Sequence, residues 1–151
     1  MLPRRPLLGA LLFVLIGGAA GCGSTSTPTT PTPAPTLVSD PFTGTINPLG
    51  TANHSFTVTY TGGSNASITV NSLVTVANQT PQAITIGVAF GSLNLGVCTP
   101  AITNPAATIG TELPTSTSPF GNATYCVQVF DNPAAPTVSE PLTYSITVKH
   151  Y

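Results

Sequence analysis

The apolar positions of this chain fall into two regimes. From Leu7 to Ile16 they form one nearly unbroken run, LLGALLFVLI. Beyond Leu37 they alternate with polar positions at a period of two, the signature of half-buried β-strands. Phe56, Val58 and Tyr60 alternate with Thr57, Thr59 and Thr61, and Gly62-Gly63-Ser64-Asn65 supplies a turn. Ile68 and Val70 continue the alternation, with Leu73, Val74 and Val76 following a bulge. Ile84, Ile86, Val88 and Phe90 predict a strand bounded by Pro81 and Gly91, and Tyr125, Val127 and Val129 predict another. The clearest is Leu142, Tyr144, Ile146 and Val148 against Thr143, Ser145, Thr147 and Lys149. Shorter candidates lie at Phe42–Ile46, Leu95–Cys98 and Thr108–Leu113. The stretch Thr99–Asn122 has the poorest strand signal and reads as loop-rich. No segment sets apolar residues at three- and four-residue spacing among good helix formers. About eight short strands punctuated by Gly, Pro and Asn predict an all-β domain over residues 37–151: a single antiparallel β-sandwich, jelly-roll-like. Roughly 115 residues suffice for one two-sheet core.

The N-terminal run belongs to another kind of segment. Arg4 and Arg5 precede it, small residues fill Gly17–Gly21, and Cys22 follows. That is the charged, apolar and small-residue anatomy of a secretory signal peptide over residues 1–21. The run is shorter than the roughly 20 residues that span a bilayer. Ala19-Ala20-Gly21-Cys22 resembles a lipobox, although Ala19 stands where that motif most often has Leu. Small residues let the chain enter the peptidase extended, and the cysteine thiol carries diacylglycerol through a thioether. The resemblance implies a bacterial lipoprotein whose membrane partner is reached through lipid on Cys22. The alternative is an ordinary signal peptide, cut nearby, with Cys22 incidental. Gly23 is not the Asp that retains lipoproteins in the inner membrane, which points to the outer membrane or cell surface. After Cys22, the rest of residues 22–36 is built only of Gly, Ser, Thr, Pro and Ala. Nothing there can offset the ordering entropy, so the segment reads as a disordered, PPII-like linker reaching up to ~40 Å.

Charge narrows the partners. After the signal, Lys149 is the one lysine or arginine, against Asp40, Glu112, Asp131 and Glu140, a formal balance of −3. One lysine makes no basic patch, so phosphate-backbone binding has no electrostatic source and nucleic acid is excluded as a partner. With Cys22 lipidated, Cys98 and Cys126 remain, and an even pair in an exported chain predicts a disulfide. It would close a loop of roughly 27 residues and contribute about 3 kcal/mol. The alternative is two free buried thiols.

The order of elements over Asp40–Tyr151 resembles the bacterial pre-peptidase C-terminal domain, a small jelly-roll-like sandwich. Phe42-Thr43-Gly44-Thr45-Ile46 is similar to that family's first strand. Asn53-His54-Ser55-Phe56-Thr57-Val58 sits where the family has an acidic, aromatic start to a strand. Ala123–Val129 and Leu142–Val148 resemble its paired last strands. Some members place calcium beside aspartates ahead of the Phe56 position. Here Asn53 and His54 stand there, and four scattered carboxylates do not supply the hard oxygen cluster that calcium needs. The fold therefore carries over; a metal or other cofactor does not.

Candidate chemistry is sparse. A hydrolase would have to form around His54, with Ser55 as nucleophile and Asp40 orienting the base. The competing reading of His54 is a surface histidine where a strand begins. His150 is next to last, where chain ends fray. No phosphate loop, CxxC or HExxH motif is present. A sugar-binding sandwich would need an aromatic platform. The chain has no Trp, which leaves Phe120 and Phe130, because Tyr125 is in phase with the core. The four N-x-S/T sequons, at Asn53, Asn65, Asn78 and Asn122, read as products of Asn/Thr richness. The expectation is a lipid-anchored cell-envelope module with a non-enzymatic interaction or structural role, its partner an envelope protein or glycan. The alternatives are a carbohydrate-binding sandwich and, behind it, the hydrolase around His54.

Overall fold

The computed structural model describes residues 34–59, 65–114 and 121–151. Residues 1–33, with the signal segment and Cys22, lie outside them, as do Tyr60, the turn residues Gly62, Gly63 and Ser64, and Phe120. The described residues form eight strands: β1 (Val38–Ile46), β2 (Thr51–Val58), β3 (Ser67–Thr75), β4 (Ile86–Asn94), β5 (Val97–Ala107), β6 (Glu112–Pro114), β7 (Ala123–Phe130) and β8 (Leu142–His150). One sheet has the order β1-β8-β3-β6 and the other β2-β7-β4-β5. Every pairing is antiparallel. The chain changes sheet at every connection except the β4–β5 hairpin, which is jelly-roll order.

Alternation drives the burial. In β8, Leu142, Tyr144, Ile146 and Val148 are buried while Thr143, Ser145 and Thr147 are half-buried between β1 and β3. The opposite sheet answers with Phe56, Val58, Ile86, Val88, Phe90, Val127 and Val129. The bulge expected after Val70 is present, as a register shift between Val70 and Ser72.

Four expectations are corrected. Residues 99–107 belong to a strand and not to the loop expected over Thr99–Asn122: Pro100 and Pro105 interrupt the alternation of β5, and an edge strand tolerates them because one side needs no ladder bonds. Leu95–Cys98 is not a strand of its own. Leu95 and Gly96 form the hairpin turn, both at positive φ (50° and 81°), and Val97 already opens β5. The strand bounded at Gly91 instead runs through it to Asn94. The last two strands, β7 and β8, lie in opposite sheets and do not pair.

Gly91 explains its own place in a strand. A Cβ there would sit 2.2 Å from the Thr99 carbonyl oxygen, beside the register shift at Phe90/Gly91. β5 therefore folds close over β4 at this point. That brings Cys98 of β5 to Cys126 of β7, across the intervening β4, with Cα atoms 5.7 Å apart and the sulfurs bonded. Two-strand spacing in a flat sheet would be about 9.6 Å, so the bridge depends on this fold-over. The outward side of β4 is covered in the same way at Gly87, where the Phe130 ring occupies the space a Cβ would take.

Candidate functional site

β1 and β2 are both edge strands, one in each sheet, and inward side chains of the two meet. Here His54 is half-buried and points inward, which corrects its reading as a surface histidine. Its ring stacks on Phe42 at 4.8 Å. Its Nε2 lies 2.7 Å from the Tyr144 hydroxyl, in a hydrogen bond between the sheets. Tyr144 reaches that far because Gly44, its partner across β1 and β8, has no Cβ; one there would lie 2.4 Å from the hydroxyl oxygen. The buried Tyr144 hydroxyl needs a partner, and among the described residues His54 supplies it.

Burial pushes the His54 pKa down and the Tyr144 pKa up. Both shifts favour the neutral pair at neutral pH. Ser55 points to the other face of β2, as alternation requires, and is exposed. Asp40 does not orient His54. Its carboxylate lies 3.0 Å from His150 Nε2. The triad arrangement around His54 is thus replaced by two separate pairs, His54–Tyr144 and Asp40–His150. His150 does not fray: it is 2% exposed, ends β8, and packs its ring 5.2 Å from Phe56.

The His54 pair makes a pH prediction. A folded pKa below the unfolded value means the unfolded chain binds more protons below pH ~6.5. Stability should therefore fall as pH drops from about 6.5 toward the lowered value, and then level off. His54→Gln should lack that step, read as the difference between the two melting profiles from pH 7.5 to 5. Tyr144→Phe should cost about 1 kcal/mol at neutral pH. An unchanged slope in His54→Gln would assign the step elsewhere.

Phe130, the one described member of the expected aromatic platform, is half-buried with its ring over Gly87. Tyr125 is half-buried against the core and bonds through its hydroxyl to the Gly121 backbone. Phe120 lies outside the described residues. Asn53, where the resembling family has an aspartate, accepts a hydrogen bond from Gln128 at 3.1 Å. Among the described residues no three His, Cys, Asp or Glu side chains gather. Surface hollows lie among the described residues. One, of about 320 Å³, is lined by Pro81, Gln82, Ala83, Ile84, Thr108 and Ile109. Another, of about 300 Å³, holds Leu37, Glu112, Lys149 and Tyr151.

Sequence reasoning missed Asp131. It is 1% exposed and accepts backbone N–H bonds from Leu49 at 2.9 Å, Thr137 at 3.0 Å and Val138 at 3.4 Å. The available signal was an acidic residue directly after a strand and before Asn132-Pro133, a turn-forming context.

The chain matches no family model and no curated protein. Among solved structures it is similar to Aeromonas hydrophila PliG, a periplasmic lysozyme inhibitor of g-type lysozyme. The identity is 13%, covering 75% of this chain and 86% of that one, with a TM-score of 0.46.

Proposed function

We propose that this chain is an exported, lipid-anchored envelope module that acts by binding or by structure and not by catalysis. The observation that carries the reading is the Cys98–Cys126 bridge. Disulfides form and persist in oxidising compartments, and this one pairs with the signal-peptide anatomy of residues 1–21. Lipidation of Cys22, the linker over residues 22–36 and placement at the outer membrane or cell surface belong to the same proposal. So does kinship with the pre-peptidase C-terminal sandwich, supported by jelly-roll order over Asp40–Tyr151. The non-enzymatic part is supported by the two histidine pairs. His54 gives Nε2 to Tyr144, and the one carboxylate near a histidine is committed to His150. A hydroxyl–histidine–carboxylate triad requires all three groups in one chain of bonds.

Fractionation tests the anchor. The wild-type protein should sediment with membranes and dissolve in detergent, while Cys22→Ala should leave the membrane fraction. A Cys22→Ala chain that has lost residues 1–21 and is still bound to membranes would refute lipid attachment at Cys22. The carbohydrate-binding alternative draws support from Phe130 alone, and its ring already lies over Gly87.

A further inference from the structure

A two-sheet sandwich has four edge strands, and each exposes a row of backbone N–H and C=O groups that invites another strand. Three of the four edges here carry features that discourage it. β1 has Asp40 and Pro41. β5 has Pro100, Pro105 and two register shifts. β6 is three residues long and consists of Glu112, Leu113 and Pro114. β2, Thr51-Ala52-Asn53-His54-Ser55-Phe56-Thr57-Val58, has none of them. It contains no proline and no Asp, Glu, Lys or Arg. It keeps an unbroken eight-residue register with β7. Its one inward titratable group, His54, is held toward the neutral form by burial. Among the described residues β2 pairs with β7 alone.

We infer that β2 is an association edge whose occupant is β2 of a second copy, paired antiparallel about a two-fold axis. The two β2–β7–β4–β5 sheets then join into one. Three observations favour a second copy. A two-fold pairing sets a strand against itself, so any charge meets its own sign, and β2 carries none at neutral pH. Its outward residues Thr51, Asn53, Ser55 and Thr57 are exposed; Asn53 and Thr57 bond to Gln128 and Thr124 of β7, and Thr51 and Ser55 are suited to cross-strand hydrogen bonds with their own kind. The chain's own low-complexity segment is a poor occupant, because Pro28, Pro31, Pro33 and Pro35 recur every two or three residues. The blunted β1 confines pairing to one sheet. One strand pair buries little area, which places the contact in the weak class. The inference rests on the interaction-module reading, and a shared membrane would raise the effective concentration of tethered copies.

Sedimentation velocity on the full exported chain carrying Cys22→Ser tests pairing without the lipid, so failure of the anchor and failure of the edge remain distinguishable. From micromolar to near-millimolar concentration the average mass should climb toward about twofold, the limit for a two-fold dimer. Ser55→Lys and Ser55→Pro should each hold it at the monomer value. Ser55 is exposed, so Ser55→Lys should leave the melting temperature unchanged and keep the test readable if the proline variant misfolds. Amide exchange in β2 should slow as wild-type concentration rises. A monomer at every concentration would overturn the inference, as would a dimer indifferent to both substitutions. A monomer whose β2 amides slow only with added envelope extract would reassign the edge to a foreign strand and overturn self-pairing.

Discussion

Replacing Cys98 and Cys126 together with alanine should lower the melting temperature by about 12 °C. That follows from about 3 kcal/mol for a loop of this size, spread over the unfolding entropy of a domain of roughly 115 residues. The cysteines are 28 positions apart, so cross-linking removes substantial freedom from the unfolded chain. The folded geometry adds a local effect. β5 is an edge strand whose ladder to β4 is broken by two register shifts, and the bridge ties it past β4 to β7. Without the bridge, β5 amides should exchange before those of β8, which is paired on both sides. A melting temperature within ~2 °C of wild type would show that the bridge contributes little.

Asp131→Ala should cost about 3 kcal/mol. Its carboxylate joins two connections. Leu49 belongs to the β1–β2 turn and has positive φ (57°), while Thr137 and Val138 belong to the β7–β8 connection. The Asp131 backbone N–H also donates to the Gly50 carbonyl at 3.0 Å. Losing the side chain takes the acceptor from three N–H groups, a buried one at Val138 and part-buried ones at Leu49 and Thr137. Burial alone would push this carboxyl's pKa up, but the three backbone donors outweigh it and hold the pKa below the ordinary carboxylate value. A depressed folded pKa contributes stability that is present above the unfolded pKa, near 4, and lost as pH falls through the folded value. Asp131→Asn should therefore flatten the acid side of the stability profile below pH ~4. Equal acid sensitivity in Asp131→Asn and wild type would remove Asp131 as the source.

Much of the fold is legible in the pattern because β3, β7 and β8 bury one face and leave the other wetter, and two-residue alternation reports that directly. The reading fails where another constraint takes over. β4 is buried on both faces through Gly91, so its outward Gly87, Ala89 and Gly91 look like turn residues when they are sites of close cover. β5 carries prolines that only its edge position excuses. The turn at Leu95 puts a fully exposed leucine in a left-handed conformation that favours Gly or Asn, so only Gly96 marks it and the usual Asn-Gly or Gly-Gly pair is missing.

The site was less legible, for a topological reason. His54 and Tyr144 are 90 positions apart, and Asp40 and His150 are 110 apart. Jelly-roll order alone brings β1 over β2 and threads β8 beside β1. Sequence proximity suggested His54 with Ser55, but strand alternation sends those side chains to opposite faces. The cysteine pair was legible because the argument needed only compartment and parity.

Intact mass spectrometry of the membrane-extracted protein tests the exported, anchored sandwich most directly. The expected species begins at Cys22, carries added diacylglycerol, and is lighter by about 2 Da for the Cys98–Cys126 bridge. A chain that begins elsewhere with an unmodified Cys22, or one that keeps both thiols, would contradict it.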